Sequence, residues 1–302
     1  MRVIFMGTPD FAVPTLDQII KDGHEVVAVV TQPDRSKNRG MKLDFSPVKE
    51  CAISHNINVL QPEKLRKNNE FLEKYKELNP DVTVVVAYGQ ILPKTVLEIP
   101  KYGCINVHGS LLPNYRGAAP IQWAVINGEK TTGITTMYMD TGLDTGDMIL
   151  KSEVEIGKEE TAGELYERLS VIGASLLSDT LKLVEEGKAP REKQPEEFTY
   201  APMLTKELGN IDWNKTSAQI DSLVRGVNPW PGAFTEINGK KFKVHKVKSV
   251  DWRGVPGSVI KADPKEGLII ATGDGALELV EIQPENKKRM FAKDYLRGNK
   301  IV

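Results

Sequence analysis

Over its first two thirds the chain alternates short apolar runs with amphipathic stretches. Val3 to Met6 is apolar and ends at Gly7. Pro9 through Lys21 then places Phe11, Val13, Leu16, Ile19 and Ile20 close to helical spacing, and Asp22-Gly23 stops the helix. His24 to Thr31 is valine-rich and reads as a strand. A helix near Ser46 to His55, a strand at Ile57 to Leu60 and a helix near Asn69 to Leu78 follow. Val82 to Val86 reads as a fully buried strand, Cys104 to His108 as another, Ala119 to Asn127 as a helix and Gly133 to Met139 as a strand. This alternation predicts an α/β fold with a doubly wound, Rossmann-like parallel sheet. Thr161 to Glu186 carries Leu165, Leu169, Ile172, Leu176, Leu177, Leu181 and Val184 on one helical stripe, with Gly187 as its C-terminal cap.

After that helix the pattern changes. Lys188 to Lys206 contains Pro190, Pro195 and Pro202, many charges and no apolar period. From Leu208 onward a helix near Ser217 to Val227 precedes short alternating strands at Ala233–Ile237, Lys241–Val250, Gly257–Lys261, Gly267–Ala271 and Ala276–Ile282. Asn238-Gly239 and Asp274-Gly275 are hairpin turns. The expected organisation is an α/β domain over residues 1–189, a linker over 190–206 and an OB-like β-barrel over 207–302.

Composition sharpens this outline. The 302 residues are 40% hydrophobic and 27% charged, enough to build a core and too ordered in pattern for wholesale disorder. Two cysteines and no C-x-x-C exclude a disulfide scaffold and a structural zinc site on that spacing. The opening apolar run is too short for a signal peptide, and Val82 to Ala87 is too short to span a bilayer. A soluble, reduced, cytoplasmic protein without membrane contact is expected.

Net charge is −1 overall, but it is uneven: −5 over residues 1–206 and +4 over 207–302. Asp34 to Lys42 is a basic insert with Arg35, Lys37, Arg39 and Lys42 and no apolar period, expected as a mobile loop. Lys240 to Lys248 puts five lysines, including Lys240, Lys241 and Lys243, on one strand. Such clusters suit sequence-tolerant phosphate contacts.

Two stretches carry chemistry. The turn after the first strand, Met6-Gly7-Thr8-Pro9-Asp10, lacks the glycines of a dinucleotide fingerprint. In Gly103 to Gly117, by contrast, Asn106 and His108 stand two apart at the end of a strand, so both side chains leave on one face. An amide donor beside an imidazole suits a reaction that builds charge on a carbonyl oxygen. Met139 to Asp147 is a loop rich in acids and glycines, able to present carboxylates into a cleft.

Asn106-x-His108, the run Ser110-Leu111-Leu112-Pro113-x-Tyr115-Arg116-Gly117, and Asp144 together resemble the folate-dependent formyltransferases. The opening Gly7-Thr8-Pro9-Asp10-Phe11-Ala12-Val13-Pro14 is similar to the branch of that family whose acceptor is an aminoacylated tRNA. The resemblance implies transfer of the formyl group of 10-formyltetrahydrofolate, the co-substrate, to the α-amino group of initiator methionyl-tRNA for translation initiation. It implies Asn106, His108 and Asp144 as catalytic residues, with Asp144 holding the imidazole in one tautomer. It further implies a folate site at Tyr88, Gly89, Gln90, Ile91, Leu92, Ser110, Leu111, Leu112, Pro113 and Asp140, and no metal. Arg35, Lys37, Arg39, Lys42, Lys240, Lys241 and Lys243 are the expected tRNA contacts, and a monomer is the expected state. A coupled His–Asp pair leaves open which member moves the proton.

Two other readings compete. One is an enzyme of the same fold acting on a small amine, which would not call for the basic insert or the second domain. The other is a single-strand nucleic-acid binder, which would interleave more aromatics than the lone Phe242 on the lysine-rich strand.

Overall fold

The computed structural model describes residues 1–37 and 42–301. β1 (Arg2–Gly7) leads through a 3₁₀ turn (Asp10–Ala12) into α1 (Val13–Lys21), followed by β2 (Glu25–Val30). β3 (Arg35–Lys37) and β4 (Lys42–Asp44) pair antiparallel, with Arg35 opposite Asp44. Within the basic insert, expected as a mobile loop, these two segments are extended and in register. Then come α2 (Pro47–Ser54), β5 (Val59–Leu60), α3 (Asn69–Glu77), β6 (Val82–Val86), α4 (Lys94–Leu97) and β7 (Cys104–His108). β8 (Arg116–Gly117), α5 (Pro120–Ile126), β9 (Thr131–Tyr138), β10 (Met148–Glu155), α6 (Ala162–Glu185) and β11 (Tyr200–Ala201) complete this part.

The chain divides into two compact units. One comprises Met1–Gly117, Gly133–Val154 and Tyr166–Tyr200, the other Ala118–Thr132, Glu155–Leu165 and Ala201–Val302. The first is built on a seven-stranded sheet of order β10-β9-β7-β6-β1-β2-β5. The strands from β5 to β7 are parallel, and β6 and β7 are buried along their whole length. The expectation of an all-parallel sheet needs correction, because β9 runs antiparallel to β7. The periodicity of the chain also failed to announce β10. Its Lys151, Glu153 and Glu155 look like a polar break, but they alternate with the less exposed Ser152 and Val154. That period of two is what a half-solvated edge strand shows.

Local signals explain the helices. Ser46 caps α2 by accepting from the Lys49 N–H, and Asn68 caps α3 by accepting from the Phe71 N–H. The α6 stripe buries Leu169, Leu177, Leu181 and Val184 in the first unit. Gly173 brings the α6 backbone close to β7: a Cβ there would lie 3.0 Å from Val107 Cγ1. Val107 points away from its neighbours Asn106 and His108, so α6 occupies the back of β7 and leaves the other face to them.

The second unit holds α7 (Ser217–Gly226), β12 (Ala233–Ile237), β13 (Lys240–Val250), β14 (Val259–Asp263), β15 (Gly267–Ala271), β16 (Ala276–Pro284), β17 (Met290–Phe291) and α8 (Ala292–Gly298). Its antiparallel order is β12-β13-β16-β15-β14, with β17 on β16. Among the described residues this path is open at β12 and β14, so the pairing is an antiparallel sheet without the closure of a barrel. Asn238 and Gly239 both have positive φ, as the expected tight hairpin requires. Phe242, Val244, Leu268, Leu277 and Ile282 form the core with Ile220 and Val224 of α7. Phe242 meets Tyr295 of α8 edge-on at 5.5 Å.

His245 of β13 is half-buried, and its Nε2 has no hydrogen-bond partner among the described residues. Burial holds its pKa below the ordinary value, and the Arg289 guanidinium adds to this. In the unfolded chain this histidine protonates at about pH 6.5, whereas in the folded one it protonates only at lower pH. The residue's contribution is therefore full above that pH and is lost as the pH falls through the depressed value. Between pH 7 and 5 the urea midpoint should fall more for the wild-type chain than for His245→Gln. Parallel curves would contradict this.

Candidate active site

β7 carries Asn106 and His108 on its open face, both buried. Register places Asn106 beside Val85 of β6 and Met137 of β9. The acidic loop leaves β9 at Tyr138, which pairs with Ile105 near the start of β7. The loop runs back over the open face, so that Asp144 reaches both side chains. Two backbone features permit this path. Asp144 sits in the left-handed region, at φ 54°. At Gly146 a Cβ would lie 1.8 Å from the Tyr138 carbonyl oxygen, so only glycine fits. Asp140 shapes the same loop, its Oδ1 accepting from the Gly142 N–H at 2.9 Å and from Thr145 Oγ1 at 2.6 Å.

The three expected residues converge. Asp144 Oδ1 lies 3.4 Å from Asn106 Nδ2, which donates to it. Asp144 Oδ2 accepts from the Gly117 N–H at 2.9 Å and lies 3.7 Å from His108 Nδ1. His108 Nε2 is 2.9 Å from the Tyr115 carbonyl oxygen. A carbonyl can only accept, so Nε2 carries the proton. The Tyr115 carbonyl, rather than the Asp144 carboxylate, therefore holds the tautomer and leaves Nδ1 toward Asp144. Tyr115 has φ 60°, a turn that directs its carbonyl back onto the histidine.

Three further residues, Tyr115, Arg116 and Gln194, belong to this constellation and were not assigned a role from sequence. Gln194 Nε2 donates to the Asp144 and Gly146 carbonyls at 2.8 and 2.9 Å. Its Oε1 accepts from Arg116 Nε at 3.0 Å and from the second guanidinium nitrogen at 2.7 Å. Both N–H groups and the oxygen are thus engaged, which fixes the amide's orientation. Arg116 is buried and stacks on Phe198 at 4.3 Å. The 190–206 segment also bonds Glu192 to Met148 and pairs β11 with β8. Nothing in its period announces these partners, since Gln194 lies 50 residues beyond Asp144 in the chain.

Half of the expected folate residues are taken up by the fold itself. Tyr88 is buried, and its carbonyl accepts from Thr8 Oγ1 and Gln32 Nε2. Gln90 accepts from the Leu65 N–H and donates to the Pro62 and Glu63 carbonyls. Leu92 and Leu112 are buried, and Ser110 Oγ donates to the Asn114 carbonyl. What faces outward is the turn at Gly89 (φ 89°), the 78% exposed Ile91, the partly exposed Leu111 and Pro113, and the exposed Asp140. A cavity of about 470 Å³ adjoins Tyr88 and Gly89 and is lined also by Thr8, Gln32, Phe45 and Ser46. It lies beyond the ends of β1, β2 and β6, where the strand order reverses, the usual ligand position in such sheets.

Of the expected tRNA contacts, Lys240, Lys241 and Lys243 are exposed on β13. Lys241 lies 3.7 Å above the Phe234 ring. The backbones of Arg35, Lys37 and Lys42 belong to β3 and β4, and Arg39 lies outside the described residues. No helix among the described residues is long and apolar enough to cross a membrane.

Comparison with known proteins agrees along the whole chain. A family model described as "Formyl transferase" matches residues 1–181, and "Formyl transferase, C-terminal domain" matches residues 203–300. The methionyl-tRNA formyltransferase of Clostridioides difficile (strain 630) is 58% identical over 304 residues, covering 100% of this chain and 98% of that protein. An N-formyltransferase from Helicobacter canadensis, solved with folinic acid and dTDP-3-aminofucose, shares the fold: TM-score 0.69 at 20% identity, over 95% of this chain and 99% of that one. HypX from Aquifex aeolicus, solved with tetrahydrofolic acid, gives a TM-score of 0.64 at 18% identity; 98% of this chain is covered, spanning about half (47%) of HypX. Identity of this extent over the full length, with Asn106, His108 and Asp144 converging on one face of β7, places the chain in the methionyl-tRNA formyltransferase family.

Proposed function

We propose that the chain transfers the formyl group of 10-formyltetrahydrofolate to the α-amino group of initiator methionyl-tRNA. The observation that carries this reading is the convergence of Asn106, His108 and Asp144, together with full-length identity to relatives bearing that name. The test is formyl transfer from that donor to charged initiator tRNA, run beside a small amino-sugar acceptor. Transfer to the small amine alone would overturn it.

The donor supplies the formyl carbon as the electrophile. It fits the outward-facing features already described: apolar edges at Ile91 and Leu111 for a flat heterocycle, and main-chain groups of the Gly89 turn for its polar rim. Asn106 has two amide hydrogens, of which Asp144 takes one. The second is available to a carbonyl oxygen that gains charge during attack. His108 is held by its Nε2–H on Tyr115, so Nδ1 is the atom that accepts or returns a proton. Its 3.7 Å separation from Asp144 is too long for a direct hydrogen bond in this state. Asp144 therefore orients Asn106 and supplies the negative charge that faces Nδ1 when a proton is there. The attacking group is an amine, so no covalent enzyme nucleophile is needed.

Gln194 and Arg116 position this apparatus. With its donors on the carbonyls of 144 and 146, Gln194 sets the height of the loop above β7. The catalytic part accordingly extends through Tyr200, and the OB-like unit after it, with its exposed lysines on β13, would present the tRNA-binding surface. Gln194→Glu keeps an acceptor for Arg116 but loses both donors. The new carboxylate pairs with Arg116 and offsets much of the stability lost with the two hydrogen bonds, so the thermal midpoint should fall only slightly while kcat drops about tenfold as the loop loses its fixed height. The KM for tRNA should stay unchanged. A fall in stability with kcat intact would make Gln194 merely structural.

A further inference from the structure

Away from the open face of β7, α1 and α2 pack against each other and bring Asp17, Cys51 and His55 together. Cys51 lies on α2 and His55 follows its last residue, four positions on, so the two share a helical face. Asp17 on α1 answers from across the groove. Its Oδ1 accepts from the Cys51 thiol at 3.2 Å and from His55 Nε2 at 3.3 Å. One donor atom from each of the three lies within 4.8 Å of the others. Asp17 and His55 are exposed and Cys51 is half-buried, so an ion can arrive from solvent.

We propose that these three side chains form a zinc site separate from the formyl-transfer machinery, with water as the fourth ligand. The distances support it. Zinc binds sulfur at about 2.3 Å and nitrogen or oxygen at about 2.0–2.1 Å. Tetrahedral angles then put a ligand oxygen about 3.5 Å from sulfur and about 3.3 Å from nitrogen. The observed 3.2 and 3.3 Å differ from these by a few tenths of an ångström. Both pairs that include the carboxylate oxygen are thus already spaced for the ion, and the sulfur and nitrogen, within 4.8 Å of each other, would settle at about 3.5 Å on binding. The mixed sulfur, nitrogen and oxygen set suits zinc and not calcium or magnesium, which take oxygen ligands. Binding forms Zn–S, Zn–N and Zn–O bonds. The thiol proton leaves to solvent, and the imidazole proton transfers through solvent to Nδ1. The ion would tie the end of α2 to α1.

Cobalt(II) is the probe. One equivalent added to the full-length chain should give a thiolate-to-cobalt band in the near ultraviolet together with tetrahedral visible bands. One equivalent of zinc should abolish both and release one proton into weak buffer. Cys51→Ser should lose the near-ultraviolet band, and His55→Ala should lose the tetrahedral bands. His55→Ala also serves as the check if Cys51→Ser does not fold. Absence of the band in the wild-type chain, or its persistence in Cys51→Ser, would overturn the site.

Discussion

Asp144→Asn should lower kcat for formyl transfer by about 10²–10³-fold, the size of loss that follows removal of one oxyanion donor, because Asp144 orients the Asn106 amide that donates to the oxyanion and faces His108 Nδ1. The substitution keeps shape. An amide oxygen at this position can still accept from the Gly117 N–H, so the loop should stay in place. What changes is the charge facing His108 Nδ1 and the pull on Asn106. Asn106→Ala should show a loss of similar size, because it removes the amide hydrogen that Asp144 leaves free and that no other group takes among the described residues. Single-turnover transfer with saturating donor and charged tRNA separates this loss from binding, and thermal melts separate it from unfolding. Wild-type turnover in either variant would overturn the assignment of these residues to the reacting atoms.

Replacing Arg35, Lys37 and Arg39 together with glutamine should raise the KM for tRNA and leave that for the folate nearly unchanged. β3 and β4 follow β2 in the chain, and the residues just past the end of β2, Gln32 and Pro33, line the cavity of about 470 Å³. An acceptor end entering there brings its phosphates to the basic arms. Every phosphate deprived of its basic partner should reduce the log–log salt slope of tRNA binding by about 0.7–0.9. Neutralising all three cations would change affinity by orders of magnitude at low salt and little at high salt. An unchanged salt slope would mean that the arms do not touch the nucleic acid. Replacing Lys240, Lys241 and Lys243 in the same assay gives the contribution of β13.

A catalytic fragment cut at residue 189 would lack Gln194 and β11. Its inactivity would then report a released active-site loop, not a missing tRNA surface. Ending the fragment after Ala201 keeps β11 and the Arg116–Gln194 bonds.

The patterns that depend on neighbours in the chain were legible without coordinates. Val82–Val86 and Cys104–His108 are strands because they are short, apolar and bounded by turns. Asn238-Gly239 is a hairpin because both residues tolerate positive φ. The spacing of Asn106 and His108 puts both on one face because strands repeat every two residues. Their resemblance to a known family named Asp144 as well.

The meeting of distant segments was decided only in three dimensions. β9 runs antiparallel to β7, so the acidic loop starts at the wrong end of the strand and must double back over its face. That path depends on Gly146 and on the left-handed Asp144, and composition could show only that the loop had the freedom to take it. The tautomer of His108 rests on a main-chain carbonyl at Tyr115, and every residue type has a carbonyl. Gln194 sits in a proline-rich stretch with no period, and its role comes from the two carbonyls and one guanidinium that folding brings to it. Local periodicity follows from backbone geometry and is written in adjacent residues. The partner of a polar group is set by the packing of the whole unit, and no short stretch of sequence records it.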